Sequence, residues 1–260
     1  MLKISCGVKT DQGDVRAENQ DSILCLTGII KDEQAALFAV ADGMGGLSFG
    51  AQVSGYITNQ FERWWNVDFR QLVQDGLDNT ENIRELLEQE IWDINQAVLD
   101  FKNKHQCRSG STLSLLLVYR NRYYIENIGD SRVYLLRNQV LHQLTKDQSL
   151  VAQMVEQNQM TEREARTSKV KNVLTMCVGM FQVPLSGFWT EEIVQGDKFL
   201  VCSDGLYNAL EVQQIEEVIE NGKLNAQEKA DLLRQMIEPG AAKDNVSVII
   251  AETEDTEEVG

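Results

Sequence analysis

The sequence predicts an α+β domain in which antiparallel sheets are covered by helices. Short β-type apolar runs recur along the whole chain. Two long stretches with helical spacing separate the first group of these runs from the next. In the middle, three strand-like runs follow one another with only tight polar turns between them. A parallel crossover needs a dozen or more residues, so this central meander must be antiparallel.

The chain opens with LKISCGV, SILCLTGII and AALFAVA, three strands bounded by polar residues. Ala51 to Trp65 then carries apolar residues at roughly helical spacing. So does Ile83 to Phe101, where Ile83, Leu86, Leu87, Ile91, Ile94, Val98 and Phe101 fall on one stripe. Trp64, Trp65 and Trp92 lie in these helices, and the stripe reads as core. TLSLLLVYR, RYYIENIG and RVYLLRNQ form the meander, with Arg120 and Asn121 in one of its turns. A polar helical stretch covers Gln148 to about Arg166. LSGFWTEEI and KFLVCS return as strands, helices follow around 211–219 and 225–237, and NVSVIIAET is the last strand. Neither a repeat nor a low-complexity segment interrupts the order.

The 260 residues are 43% hydrophobic and 25% charged, enough for a sizeable core in one domain. The two prolines, Pro184 and Pro239, sit in no linker, so a catalytic domain is expected over 1–252 with an acidic tail over 253–260. A net charge of −16 argues against nucleic acid or an anionic membrane as partner, because like charges repel. The five cysteines, Cys6, Cys25, Cys107, Cys177 and Cys202, are odd in number, form no C-x-x-C pair and lie mostly in apolar runs. That usage fits a reducing compartment. The N-terminus lacks the apolar segment of a signal peptide, and no apolar run approaches the ~20 residues that span a bilayer. A soluble, cytoplasmic protein is expected.

The informative residues are aspartates at strand ends. AALFAVADGMGG runs into Asp42 and Gly43, RYYIENIGDSR into Asp130, and KFLVCSDGL into Asp204; Asp244 and Asp21 each stand just before a strand. A single Asp-Gly after a strand is ordinary turn chemistry. Five such carboxylates anchored at the rims of sheets can converge on one point, where they would repel unless cations lay between them. Carboxylates with a backbone carbonyl suit Mg²⁺ or Mn²⁺ better than zinc, and the glycines of DGMGG let a carbonyl approach. An acidic protein acting on an anion needs such a local reversal of field.

Rival chemistries fail on spacing. A thiol phosphatase needs Arg six residues after Cys, and those positions hold Gln12, Lys31, Leu113, Val183 and Asn208. There is no G-x-x-x-x-G-K-[ST] loop. His105 and His142 lie in polar segments with neither metal spacing nor a G-x-S-x-G elbow, and read as surface residues.

In order, RAENQD, VADGMGG, GSTLSLLL, NIGDSRVYLLR, LTKDQS, LVCSDGL and KDNVSVII resemble the metal-dependent protein phosphatase family (type 2C, PPM), its bacterial members above all. The likeness runs from about Gly7 to Ala251. It implies an antiparallel β-sandwich flanked by helices on both faces, in four αββα layers, that removes phosphate from phosphoserine and phosphothreonine. By this resemblance Asp42 bridges two Mn²⁺ or Mg²⁺ ions and Gly43 lends its carbonyl to one of them. Asp204 and Asp244 complete the ligands of the other, while Asp130 with Asp204 holds a third, weaker ion. Arg16 matches the arginine that binds substrate phosphate; read without the resemblance, it is an ordinary surface arginine. Asp21 resembles a carboxylate that orients metal-bound water.

The family mechanism is attack in line by a metal-bridging hydroxide, with Arg16 and the ions offsetting charge on the phosphoryl oxygens. The implied partners are phosphorylated proteins and a cognate serine/threonine kinase, and a monomer is expected.

The chain departs from the family pattern in places. Met44 stands where many eukaryotic members have a histidine thought to protonate the leaving group, so another group must serve. Gln20 stands where Glu is frequent. The flap-like segment from Gln148 to Met180 contains LTMCVGM, which lacks the arginine usual in bacterial relatives. Two other readings keep the fold: a binding protein with a degraded metal site, which would have lost an aspartate, and a phosphatase of a sigma-factor switch, which usually carries sensory domains.

Overall fold

The computed structural model describes residues 2–45 and 49–255. Gly46 of the DGMGG run and the acidic end at 256–260 lie outside the described residues. The chain begins with β1 (Leu2–Asp11), β2 (Asp21–Ile30) and β3 (Glu33–Gly45). Helix α1 (Phe49–Trp64), a π-helical turn (Trp65–Phe69), α2 (Arg70–Gln74) and α3 (Thr80–His105) follow. Then come β4 (Ser109–Ser111), β5 (Leu113–Tyr119), β6 (Arg122–Ile128), β7 (Arg132–Arg137) and β8 (Val140–Gln143). After α4 (Leu150–Glu156) and α5 (Glu162–Thr167) lie β9 (Gly187–Glu192), β10 (Lys198–Cys202), α6 (Asp204–Ala209), α7 (Val212–Glu220), α8 (Ala226–Gln235) and β11 (Val246–Asp255).

The strands form two sheets, β1-β11-β10-β7-β8 and β2-β3-β5-β6-β9, with β4 paired to the end of β3. Every named pairing is antiparallel, but the expected three-strand meander divides: β5 and β6 pair in one sheet, whereas β7, after a turn at Gly129 with φ 98°, enters the other sheet and pairs with β10 and β8. Strand β3 shows why AALFAVA reads as an unbroken apolar run. Ala36, Phe38 and Val40 face Val133, Phe199, Val201 and Ile249 of the other sheet. Their neighbours Ala35, Leu37, Ala39 and Ala41 face α1 and α3. Alternation puts one set on each face, and both faces are buried. Burying a Phe38-sized side chain contributes about 1.5–3 kcal/mol, so this strand anchors two cores at once. A third core packs α6, α7 and α8 on the five-stranded sheet, which completes the αββα layering.

Helix α3 buries Ile83, Leu87, Ile91, Ile94 and Val98, the predicted stripe, and leaves Trp92 facing solvent. Its ends extend beyond the stripe because Asn79 caps the first turn and Gln106 takes a left-handed conformation. The expected polar helix at 148–166 is two helices. Asn158 at φ 56° breaks the first, and the capping box of Thr161 and Glu164 starts the second. RVYLLRNQ is likewise shorter than expected: Asn138 and Gln139, both at positive φ, make a two-residue hairpin turn into β8. Lys31 and Asp32 do the same between β2 and β3. The last strand runs on to Asp255, with Thr253 buried, so the sheet continues into the segment expected as a tail.

Two cysteines distant in sequence meet in space. The Sγ atoms of Cys6 and Cys25 are 3.3 Å apart, and all five thiols are free.

Candidate active site

Strand ends from both sheets meet at one edge of the sandwich. Antiparallel pairing sets the start of β2 beside the end of β3, so Asp21 and Asp42 are register partners. It also sets the start of β11 between the ends of β1 and β10, which brings Asp244 beside Asp204 and the loop after Asp11. The turn from β6 to β7 adds Asp130. Arg16, Asp42, Gly43, Asp130, Asp204 and Asp244 all line one cleft of about 510 Å³. Asp21 does not line it; its carboxylate lies behind, accepting a hydrogen bond from Ser203 Oγ at 2.8 Å.

The electrostatics of this cleft are unfavourable for bare carboxylates. Asp42 is pushed far above the usual carboxylate range, first by burial and then by repulsion from Asp21, Asp204, Asp130 and Asp244. Asp204 is raised for the same reasons, with Asp130 the strongest repeller and Lys171 partly offsetting it. Burial pushes Asp130 up to about 6, with repulsion from Asp147 next. Asp21 also reaches about 6, chiefly through burial. Asp204 Oδ2 accepts from Asn208, but Asp204 Oδ1 and Asp21 Oδ1 are buried without any hydrogen-bond partner. An orphaned buried carboxylate oxygen is costly, and for Asp204, which lines the cleft, a cation is a partner of the right charge.

Among the described residues, no three carboxylate, thiol or imidazole side chains already converge as a closed ligand set. Asp244 is turned to Arg16, whose Nε and terminal nitrogen donate to its two oxygens at 2.8 and 2.6 Å. Arg16 is held still more firmly protonated by these bonds.

Gly43 has a steric reason to be glycine. A Cβ there would lie 2.3 Å from the Gly50 carbonyl oxygen and 2.6 Å from that of Gln20. The N–H of Gly43 donates to that same Gln20 carbonyl, at 3.1 Å.

Several cleft residues escaped sequence reasoning. Asn245 accepts from the Gln20 N–H and donates to the carbonyls of Gln12 and Glu18, tying the Arg16 loop to the start of β11. Its place in KDNVSVII was the available signal. Arg132 is bidentate to Asp147 at 2.9 and 2.6 Å and lies 3.5 Å over the ring of Tyr207, whose hydroxyl donates to the Asp130 carbonyl. These three residues brace the turn that carries Asp130. Met44 lines the cleft, and so do Asn172 and Leu174 from the flap-like segment. That segment is tied to the body by Lys171 to Asn208 and by an Arg166–Glu211 ion pair.

The cleft and its frame have close counterparts among known proteins. The serine/threonine phosphatase stp of Listeria monocytogenes serotype 4b is 29% identical over 253 residues, covering 96% of each chain. The catalytic domain of the serine/threonine protein phosphatase PstP, solved in complex with two manganese ions, superposes with a TM-score of 0.83 at 27% identity, covering 98% of this chain and 100% of that one. The S. agalactiae serine/threonine phosphatase gives a TM-score of 0.84 at 27% identity, covering 96% and 99%. The family description for protein phosphatase 2C matches residues 14–240. With most of its length inside that match and its two sheets stacked as in those structures, this chain belongs to the protein phosphatase 2C family.

Proposed function

We propose that this protein hydrolyses phosphoserine and phosphothreonine esters of proteins at the strand-end cleft, using two divalent cations of the Mn²⁺ or Mg²⁺ kind. The observation that carries the reading is Asp204: buried among other carboxylates, with Oδ1 lacking any partner. Hard cations favour such all-oxygen surroundings. When bound, they supply an activated water near neutral pH and positive charge opposite the phosphate.

In this reading the cations would be held by the carboxylates of Asp42, Asp204 and Asp244 and the carbonyl of Gly43, all of which line the cleft. Asp130 and Asp204 take a third, weaker one. Arg16, about half exposed beside Asp244, would offer its fork to the substrate phosphate in place of Asp244. Asp21, fixed by Ser203, orients a water from behind. Met44 has no proton to give, so the leaving alkoxide takes its proton from water or from a cleft carboxyl.

The matching enzyme on the substrate side is a serine/threonine kinase. We read the protein as a cytoplasmic monomer whose catalytic unit is 1–252. Among the described residues no helix is long and apolar enough to cross a membrane. All five aspartates are present, which disfavours a catalytically dead binding protein.

The test is phosphate release from a phosphothreonine peptide. Turnover is expected with Mn²⁺, none in EDTA, and recovery on adding Mn²⁺ back. Full activity in EDTA would overturn the assignment.

A further inference from the structure

Strands β1 and β2 are edge strands of the two sheets and touch across the sandwich, so the inter-sheet core ends between them. Ile4, Cys6 and Val8 point inward from β1, and Ile23 and Cys25 point inward from β2. Alternation along each strand thus sets the two thiols face to face, with Sγ atoms 3.3 Å apart. Among the described residues this is the only pair of sulfurs within hydrogen-bonding reach. Both side chains are half-buried, so a small solute can reach them.

We propose that Cys6 and Cys25 form a reversible intrachain disulfide on exposure to a hydroperoxide, stapling the two sheets together at their open edge. Bond formation needs the sulfurs to close to roughly 2.05 Å. Each cysteine sits on a strand bonded to a neighbour on one side only, so the movement disturbs a single ladder in each sheet. Cys6 is the nucleophile: the Cys25 S–H donates to it and lowers it to about 7, against a smaller opposing effect of burial. Cys25 is held protonated by that same bond and by burial.

The Cys6 thiolate attacks one peroxide oxygen and the O–O bond breaks. Cys6 becomes a sulfenic acid, oxidised by two electrons, and the other oxygen leaves and is protonated to water or an alcohol. The Cys25 sulfur then attacks the Cys6 sulfur, and its proton leaves with the sulfenic hydroxyl as water. Two thiols and one hydroperoxide thus give one disulfide, one alcohol or water, and one water. In a reducing compartment such a bond is transient. The ring closes around residues 6–25 and so encloses the loop that carries Arg16.

The experiment treats the native protein with hydrogen peroxide, blocks remaining thiols with N-ethylmaleimide and reads mass and melting temperature. A tryptic peptide 4–9 joined to peptide 17–31 is expected, at the mass of the two less two hydrogens. The melting temperature should rise by roughly 5–10 °C, as for a closed loop of this length, and fall again with dithiothreitol. In Cys25→Ser the link should be absent and a Cys6 sulfenic acid should be trapped by dimedone. Peptides 4–9 and 17–31 recovered unlinked from oxidised native protein would overturn the proposal. So would a link that leaves the melting temperature unchanged.

Discussion

Arg16 and Asp244, 228 positions apart in the chain, form a two-pronged ion pair at the mouth of the cleft, with N–H···O distances of 2.8 and 2.6 Å. The pair joins the loop after β1 to the segment leading into β11, the two neighbours that the sheet order makes adjacent. An arginine so placed can exchange one anion for another without moving its backbone.

Arg16→Ala is therefore expected to raise KM about tenfold, a loss of about 1.4 kcal/mol, with a smaller fall in kcat. Arg16→Lys should recover only part, because an ammonium lacks the planar fork. Steady-state kinetics on a phosphothreonine peptide decide it. Unchanged constants would leave Arg16 a purely structural partner of Asp244.

Asp204→Asn and Asp42→Asn should separate stability from activity. Each replaces a carboxyl whose ionisation the fold opposes with a neutral amide, so the metal-free protein should melt several degrees higher near pH 7. Turnover should fall at least a hundredfold at saturating Mn²⁺, a barrier increase of about 2.7 kcal/mol. Calorimetry in EDTA and an activity assay give the two readings. A variant that keeps a tenth of wild-type kcat does not carry a cation ligand.

Asp130→Ala should remove only the weaker cation. Its turn is braced by Arg132, Asp147 and Tyr207, so the backbone should stay in place. Titration calorimetry should still find two tight ions, with lower activity toward protein substrates and a changed Mn²⁺ concentration for half-activity. Loss of all metal binding would put Asp130 in the central pair; wild-type behaviour throughout would make it a turn residue.

Glu126, on β6, is wholly buried; neither carboxylate oxygen has a hydrogen bond of good geometry, and Ser186 nearby only partly offsets the burial. It lies on the same face of β6 as Tyr124 and Ile128, which pack against the helices, with Arg84 and Glu88 of α3 acting on it. Burial pushes it up to about 8 from its ordinary 4.5. The folded protein thus binds a proton that the unfolded chain releases. Stability from this group is full below about 4.5 and is lost as pH rises toward 8. Glu126→Gln should flatten that decline, a difference of a few kcal/mol at pH 8.5, read by urea unfolding across pH 5–9. Parallel pH profiles for both proteins would show that Glu126 is ionised in the fold.

The elements that periodicity exposes were legible. The α3 stripe packs on the core as predicted, with Leu86 and Phe101 partly buried at its margins, and the pairing of β5 with β6 is antiparallel. The expected third strand of that meander instead crosses to the other sheet, because which sheet a strand joins is decided by long-range pairing with β10 and not by the short turn before it. Other failures depended on single residues. Asn158 divides one expected helix, and the Asn138–Gln139 turn hides a strand whose only buried residue is Leu141. In the cleft, aspartates announced themselves because an acid ending an apolar strand is conspicuous. Asn245 and Tyr207 did not, because their contribution lies in backbone carbonyls brought close only by the fold. The Cys6–Cys25 pair was hidden for the same reason: which inward faces oppose one another across two sheets is a fact of stacking, not of spacing.

Strand β11 lies between β1 and β10, so the first strand synthesised waits for the last. On the ribosome the sheet of β2, β3, β5, β6 and β9 has all its members once Glu192 has emerged. Residues 2–11, by contrast, have no ladder partner until 246–255 are delivered, and contacts of such long range form slowly. Asp244 arrives in that same final stretch. A nascent chain that has not reached Asp244 therefore holds the Arg16 side of the cleft without the carboxylate that faces it.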